Sequence, residues 1–184
     1  EFRRVLFRSV AQFNQSLPGF GPAGWDRLGG DIDGEAASDE SGFSVSISAD
    51  GTTLAIGAYL NDATSGTTNT GDNRGHVRVY RYNATKTTPQ LDQSLSGFGP
   101  AGWDRLGADI DGEASSDYSG YSVSLSADGT IVAIGAIYND GSGNLLSDSG
   151  HVRVYKYRAG KTTAQLSNSA PTATDFGPIG WEDR

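Results

Sequence analysis

The chain has 184 residues, a formal net charge of −8 and neither cysteine nor methionine. The acidic balance disfavours nucleic acid and anionic membrane surfaces as partners. No apolar run reaches the roughly 18 residues that a membrane span needs. The absence of cysteine excludes disulfides, thiolate metal sites and cysteine nucleophiles. The 26 glycines, together with many Ser, Thr, Asp and Asn residues, predict short strands joined by turns.

Residues 1–9 are basic and apolar, unlike the sequence that follows. They match the translation of a common sequencing-adapter oligonucleotide, and no small-residue cleavage site of a signal peptide follows them. We therefore predict that residues 1–9 are an artefact that contributes nothing to the fold. The missing methionine and the adapter-like start indicate a fragment of a longer protein, in which we interpret residues 10–23 as a lead-in loop.

An internal repeat organises the rest of the chain. Its clearest markers are three tryptophans spaced by 78 residues: Trp25, Trp103 and Trp181. Between 24–62 and 102–140, 30 of 39 residues are identical, which chance does not produce.

The period divides the chain into repeats. We predict a first repeat over 24–101, a second over 102–179 and the start of a third over 180–184. The copies differ in length within polar stretches such as 63–74 and 141–149, which indicates surface loops.

Each repeat contains four strand-like runs: the first alternates apolar with small polar residues, and the second is apolar on both faces, as expected of a strand between two neighbours. Asp-Gly pairs at 50–51 and 128–129 predict tight hairpins between the first two runs. The predicted strands, with almost no helix, lie near 43–48, 53–59, 76–82, 103–110, 121–126, 130–137 and 151–157. The pattern predicts an all-β, partial β-propeller made of two four-stranded antiparallel blades plus part of flanking ones.

Several motifs of the repeat are similar to those of a known family. They are Gly42-Phe43-Ser44 with Gly57-Ala58-Tyr59, Gly120-Tyr121-Ser122 with Gly135-Ala136-Ile137, and Gly-His-Val-Arg-Val-Tyr at 75–80 and 150–155. The unit resembles the FG-GAP-type β-propeller repeats of integrin α-subunit heads and of bacterial surface and secreted proteins. A Trp-x-x-Leu-Gly-x-Asp-Ile-Asp-Gly-Glu-Ala run, at 25–36 and 103–114, resembles a bacterial variant of that repeat.

The resemblance implies a non-enzymatic extracellular or cell-surface module that supports adhesion through protein or glycan binding. Its other partners would be neighbouring blades of the full-length chain. Two alternatives stay open: a propeller within a larger secreted enzyme whose active site lies outside this fragment, and a purely structural repeat. The Ser-x-Ser-x-Ser strands place no base at nucleophile-activating spacing, which disfavours a hydrolase.

In many FG-GAP repeats the first hairpin is an Asp-x-Asp-x-Asp-Gly calcium loop. Here the hairpins read Ser-Ala-Asp-Gly at 48–51 and 126–129, with one carboxylate each. Calcium takes six to eight oxygen ligands. We therefore do not carry the family's calcium site over, and we interpret Asp50 and Asp128 as turn formers.

A second acidic pattern precedes the first strand of each repeat. Alternate carboxylates there have the spacing of a cation loop, with Asp39 and Asp117 nearby; the candidate ligands are Asp31, Asp33, Glu35, Asp109, Asp111 and Glu113. Two interpretations remain open. The run is either an acidic turn whose carboxylates accept backbone N–H groups or a weak calcium site. We expect no other cofactor.

The repeated ring-bearing side chains are interpreted as packing groups. His76 and His151 open the third strand of each repeat, where they pack or cap rather than catalyse. The tryptophans at the period are expected to anchor the outer strand. The alternating tyrosines are expected to pack between blades, with an exposed aromatic binding strip as the alternative; they are Tyr80, Tyr82, Tyr155 and Tyr157.

Overall fold

In the computed structural model, the described residues are 11, 14, 21–62, 71–141, 145–164 and 177–183. These residues form β-strands joined by turns and include no helix. Within this part of the chain, no helix is long and apolar enough to cross a membrane. The predictions made for residues 1–9, and for most of the lead-in loop, lie outside the described residues.

The strands are β1 Ser44–Ile47, β2 Thr53–Ala58, β3 His76–Tyr82, β4 Trp103–Arg105, β5 Ile110–Asp111, β6 Ser119–Leu125, β7 Ile131–Ala136, β8 His151–Tyr157 and β9 Trp181–Asp183. They form two antiparallel sheets, called here the first blade (β1–β5) and the second blade (β6–β9). The first blade has the strand order β1-β2-β3-β4, with β5 also paired to β3, and the second has the order β6-β7-β8-β9.

Each blade is a meander in which consecutive strands are neighbours. In the first blade Ser44 lies opposite Gly57, Ala58 lies opposite His76, and Tyr82 lies opposite Trp103. The second blade repeats this register, except for a β-bulge between Ser119 and Ser122. The predicted all-β, partial β-propeller is confirmed, and the repeat boundaries remain predictions.

The outer run of the first blade differs in detail from the single strand predicted at 103–110. It is divided into β4 and β5, which pair with opposite ends of β3. Gly107 between them has a positive φ of 68°, a turn conformation that glycine adopts without steric cost. The equivalent residues 25–32 form no strand.

The two blades pack face to face at close range. The Ser44 hydroxyl donates to the carbonyl of Gly120 at 2.6 Å, and the Leu125 amide donates to Ser46 Oγ at 2.9 Å. A Cβ built on Gly57 would lie 2.1 Å from the Gly120 carbonyl oxygen, so this approach requires glycine. Buried apolar residues of both blades form the core beside this contact; they include Ala55, Val77, Val79, Leu106, Ile110, Val132, Ile134, Tyr155 and Trp181.

Tryptophans tie the outer strands to the preceding repeat. The indole of Trp103 donates to the carbonyl of Leu28 at 3.0 Å, and that of Trp181 donates to Leu106 at 3.1 Å. Both indoles are buried, which confirms their anchoring role. The prediction is wrong for Trp25, which is 74% exposed because residues 25–32 do not pair with a strand.

The four repeated tyrosines pack against apolar residues and tryptophans. Tyr80 and Tyr155 are buried, while Tyr82 and Tyr157 form edge-on ring contacts with the anchoring tryptophans. The expected packing between blades is confirmed for Tyr155 and Tyr157, which lie in or against the core shared by both blades. It is wrong for Tyr80 and Tyr82, which pack within the first blade, and the alternative of an exposed strip at these positions is also wrong. This arrangement leaves another set of rings at the surface.

Candidate functional site

The first acidic run does not converge on one point. Asp31 forms an exposed ion pair with Arg27 at 3.1 Å, and Asp33 is exposed to solvent. Glu35 lies half-buried beside Arg78 and His76, with its carboxylate 3.7 Å from the histidine Nδ1. The three candidate ligands of this run therefore lie in different environments.

Arg78 joins the two acidic runs. Its guanidinium donates to both carboxylate oxygens of Asp109, at 2.9 and 2.8 Å, and also pairs with Glu35. Arg105 contacts Asp109 at 2.7 Å. Burial alone would raise the pKa of Asp109, but the hydrogen bonds and charge of Arg78 and the charge of Arg105 hold this pKa below its usual value. This charged cluster links the first repeat to the second.

The remaining carboxylates of the second run lie beside the charged cluster. The pKa of Asp111 is raised to about 7 by partial burial of its carboxyl and by the negative charges of Asp109 and Glu35, although the residue keeps an exposed surface. Glu113 pairs with Arg153, and its carboxylate lies 3.5 Å from His151 Nδ1. Glu35 and Glu113 thus occupy equivalent positions in their blades.

One combination of side chains has the spacing of a metal site. Ligand atoms of Glu35, His76 and Asp109 lie within 4.8 Å of one another. However, Arg78 already contacts both carboxylates, and a divalent cation would have to displace this buried guanidinium. Calcium also needs six to eight oxygens. The group therefore fits an arginine side chain better than a calcium ion.

The surroundings of His76 are those of a packing residue. Its side chain is buried, and burial lowers its pKa, since the protonated imidazolium is disfavoured away from water. His151, at the equivalent position, is half-buried, and burial lowers its pKa as well. Both rings lie beside a glutamate at the start of the third strand of a blade, as the packing interpretation requires.

The other acidic residues singled out in the sequence shape turns. Asp50 accepts hydrogen bonds from Ser48 Oγ at 2.6 Å and from the Thr52 amide at 3.0 Å, and Asp128 repeats this arrangement. The same hydrogen bonds lower the pKa of Asp128 to about 2. The interpretation of these hairpin residues as turn formers is confirmed.

The residues Asp39 and Asp117 play a related part in the loop before each first strand. Each accepts a backbone N–H three residues earlier in the chain, at 3.0 and 2.9 Å. Each also accepts a hydrogen bond from a buried asparagine, Asn61 or Asn139, at 2.9 and 2.8 Å. These two carboxylates behave as the acidic-turn interpretation expects.

A cluster of five aromatic rings spans both blades at the surface. This aromatic strip consists of Phe43, Tyr59, Tyr118, Tyr121 and Tyr138. Neighbouring ring centroids lie 4.5 to 5.6 Å apart, and several pairs meet edge-on. Exposed fractions of 50% for Phe43, 37% for Tyr121 and 47% for Tyr138 leave ring surface open to solvent.

The strip lies at one end of the blades. Phe43 directly precedes β1, and Tyr59 directly follows β2. In the second blade, Tyr118 precedes β6, and Tyr138 lies two residues beyond β7. Because β1–β2 and β6–β7 are antiparallel hairpins, these strand ends meet at the same edge.

The backbone at the centre of the strip is held in an uncommon conformation. Tyr118 has a φ of 58°, a left-handed conformation that costs a non-glycine residue about 1 kcal/mol or more. Backbone hydrogen bonds hold the neighbouring residues in place: Ser116 donates to Asp72 at 2.7 Å, and Ser119 donates to Arg74 at 2.9 Å. These contacts fix the backbone from which the Tyr118 side chain projects.

Within the aligned segments of the two repeats, the differences concentrate where the strip lies. Nine positions differ between 24–62 and 102–140, and four of them belong to the strip or its equivalents. At three of these four, an aromatic residue in one repeat replaces a non-aromatic one in the other. The four pairs are Glu40 and Tyr118, Phe43 and Tyr121, Tyr59 and Ile137, and Leu60 and Tyr138.

Sequence reasoning missed the strip because its members lie far apart in the chain. Phe43, Tyr59 and Tyr121 also lie within the family motifs, where they read as part of the repeat. The signal that could have found them is the concentration of differences between two otherwise near-identical copies.

Comparison with known proteins supports the fold and the repeat. A family model described as FG-GAP repeat matches residues 32–80, which include β1, β2 and all of β3 except its last two residues. No curated protein and no solved structure matches the chain significantly. The bacterial Trp-x-x-Leu variant of the motif remains a prediction. The chain therefore carries an FG-GAP repeat, and its two blades form part of a β-propeller.

Proposed function

We propose that this chain is a non-enzymatic binding module and that the aromatic strip contacts its ligand, a glycan. The observation that carries the proposal is the continuous set of five rings, drawn from both blades and partly open to solvent. The strip is a surface feature that the repeated packing does not require, since the equivalent positions of the other repeat are not all aromatic.

The chemistry of the strip suits a sugar. Four of its five side chains are tyrosines, which combine an apolar ring with a hydroxyl that donates and accepts hydrogen bonds. A sugar ring likewise has an apolar C–H face and hydroxyls at its edge. Contacts among the aromatic rings orient them before binding, which reduces the entropy lost when a ligand is held.

The size of the strip favours a small ligand over a protein. A stable protein–protein interface takes about 20–30 residues and about 800 Å² from each partner. The strip has five side chains, and their ring centroids follow one another at separations of 4.5 to 5.6 Å. This dimension suits a short oligosaccharide.

The repeated polar groups support a non-enzymatic role. Catalysis needs one asymmetric set of residues, whereas repetition gives each blade the same groups. The candidate acids of the charged cluster are held by Arg78 and Arg105, and each histidine lies beside a glutamate. Two alternatives remain: an enzyme whose active site lies elsewhere in a longer protein, and a purely structural repeat. Both predict that the strip binds no ligand.

We also propose an extracellular or cell-surface location, which rests on the family resemblance. Protease treatment of intact cells that express the complete reading frame tests it. Cleavage of the protein without cell lysis is the expected result, and full protection would argue against the proposal.

The binding test uses substitutions that the fold already accepts at the equivalent position. Tyr59→Ile, Tyr118→Glu and Tyr138→Leu each introduce the residue found in the other repeat. A panel of neutral oligosaccharides is titrated against each variant, with tyrosine fluorescence and calorimetry as readouts. We expect affinity to fall about tenfold for each lost ring, by analogy with a base stacked on an aromatic side chain, which contributes about 1–3 kcal/mol.

Ala37→Ser is the matched control, because it also exchanges residues between repeats but lies outside the strip. It should leave affinity unchanged. Absence of binding to any neutral glycan would refute the glycan assignment. Binding that survives all three strip substitutions would place the ligand elsewhere.

A further inference from the structure

An exposed carboxylate lies at the first end of the aromatic strip. The ring contacts begin at Phe43 and end at Tyr138, and these two residues mark the ends of the strip. Glu40 is exposed and forms a four-residue turn with Phe43, whose amide donates to the Glu40 carbonyl at 3.0 Å. The Cα atoms of Glu40 and Phe43 therefore lie within about 7 Å of each other.

Two further carboxylates lie at the other end of the strip. Asp140 is half-buried and comes two residues after Tyr138, so their Cα atoms are at most about 7 Å apart. The Asp140 carboxylate accepts the amide of Asp148 at 3.0 Å, which places the exposed Asp148 beside it. Each end of the strip therefore has a carboxylate that is open to solvent.

The segments that carry the strip contain no basic residue. Every charged residue in them is acidic; the segments are 37–43, 59–62, 115–121 and 137–141. A basic residue of a neighbouring segment, Arg74, contacts them through its carbonyl, which accepts the Ser119 amide at 2.9 Å. The Arg74 guanidinium pairs with Asp72 at 2.7 Å, so this pair adds no net charge. The electrostatic surroundings of the strip are therefore negative.

The rings themselves also favour a cation. The face of an aromatic ring is negative and attracts an ammonium group within about 6 Å of its centroid. Phe43, Tyr121 and Tyr138 leave ring surface exposed to solvent. A positive group on a ligand can thus contact a ring and lie near a carboxylate at the same time.

We propose that the aromatic strip prefers glycans with free amino groups to neutral glycans, and neutral glycans to those with carboxylates. This selectivity rests on the proposed function, because it names the class of glycan that the same site takes. A protonated amine is attracted by Glu40, by Asp140 and Asp148 and by the rings, whereas a carboxylate is repelled. One charge at about 4 Å in water changes affinity about fivefold, so two carboxylates should give a preference of about tenfold or more.

Two matched pairs of tetrasaccharides test the selectivity by calorimetry at about pH 6, where an amine is protonated and a carboxylate is ionised. One pair is the glucosamine tetramer and its N-acetylated form, and the other is the galacturonate tetramer and its methyl ester. We expect the amine form to bind about tenfold more tightly than the acetylated form. The acid form should bind about tenfold more weakly than the ester. Salt at about 1 M, where the Debye length is about 3 Å, should remove most of both differences.

Substitutions that remove single charges locate the source of the preference. Glu40→Gln and Asp140→Asn should each weaken binding of the glucosamine tetramer about threefold to fivefold and leave the affinity for the acetylated form unchanged. Asp128→Asn is the matched control, because it also removes an exposed carboxylate. Asp128 lies beyond the far end of β6, whose seven residues separate it from the strip by about 20 Å. This distance exceeds the Debye length of about 8 Å at physiological salt, so Asp128→Asn should change neither affinity.

The outcomes separate the selectivity from the proposed function. Equal affinities within each tetramer pair, with neutral glycans still bound through the strip, would overturn the selectivity and leave the proposed function standing. Equal effects of Asp128→Asn and the two strip variants would also overturn it, because the net charge of the chain would then explain the preference. Absence of binding to every neutral glycan and to the glucosamine tetramer would refute both.

Discussion

Replacing Arg78 by methionine removes the cation that holds Glu35 and Asp109 together between the repeats. The side chains of Arg78, Asp109 and Glu35 are 7%, 18% and 15% exposed, so the pairs are largely withdrawn from solvent. Removing one partner of a buried ion pair costs about 3–5 kcal/mol, because the other charge stays buried. Arg105 still contacts Asp109, so we expect a loss near the lower end, about 3 kcal/mol.

Urea denaturation at neutral pH measures this loss as a change in the free energy of unfolding. The matched control is Arg153→Met at the equivalent position of the second blade. Glu113, which pairs with Arg153, is 37% exposed, so the control should cost about 1 kcal/mol or less. Equal losses in the two variants would refute the reasoning that burial makes the Arg78 pairs costly to break.

The pH dependence gives a second check on the same variant. The pKa of Asp109 lies below its usual value, so its pairing contributes stability above the unfolded-state pKa of 3.8. This contribution is lost as the pH falls through the lower native-state pKa. The difference between wild type and Arg78→Met should therefore shrink as the pH is lowered below about 4. A difference that is constant with pH would show that lost packing, and not charge, explains the effect.

Four further predictions follow from single features of the structure. Because the pKa of Asp111 is raised to about 7, its ionisation opposes folding, and Asp111→Asn should gain stability relative to wild type as the pH rises from about 4 to 7 in urea titrations. Gly57→Ala should lower the free energy of unfolding by about 2 kcal/mol or more, because its Cβ would overlap a carbonyl oxygen, while Gly160→Ala, with open space around it, should be neutral. Calcium should bind with a Kd of about 10⁻⁴ to 10⁻³ M, or give no measurable heat in calorimetry. Micromolar affinity that is lost in Asp109→Ala/Asp111→Ala would show that the acidic run is a calcium site. Deleting residues 1–9 should leave the melting temperature unchanged. A fall of more than about 1 kcal/mol in the free energy of unfolding would show that these residues belong to the fold.

The arrangement of strands within each blade could be predicted from the sequence because it depends on local chemistry. Alternating side chains select strands, and Asp-Gly pairs select tight hairpins, as Asp50 and its hydrogen bonds to Ser48 and Thr52 show. The 78-residue period then required blades that stack on one another. Each of these signals extends over a few neighbouring residues or recurs at a fixed period.

The charged cluster and the aromatic strip depend on contacts that the sequence repeat does not encode. Arg78 pairs with Asp109, which lies 31 residues later in the chain. The two meet because β5, which follows Asp109 directly, pairs with β3. Phe43 and Tyr138 contribute to one aromatic strip because two antiparallel hairpins bring their ends to one edge. The sequence by itself determined the repeated blade, whose interactions are local or periodic. Only the tertiary structure decided which side chains meet between blades and which remain at the surface, because those contacts depend on how the sheets pack.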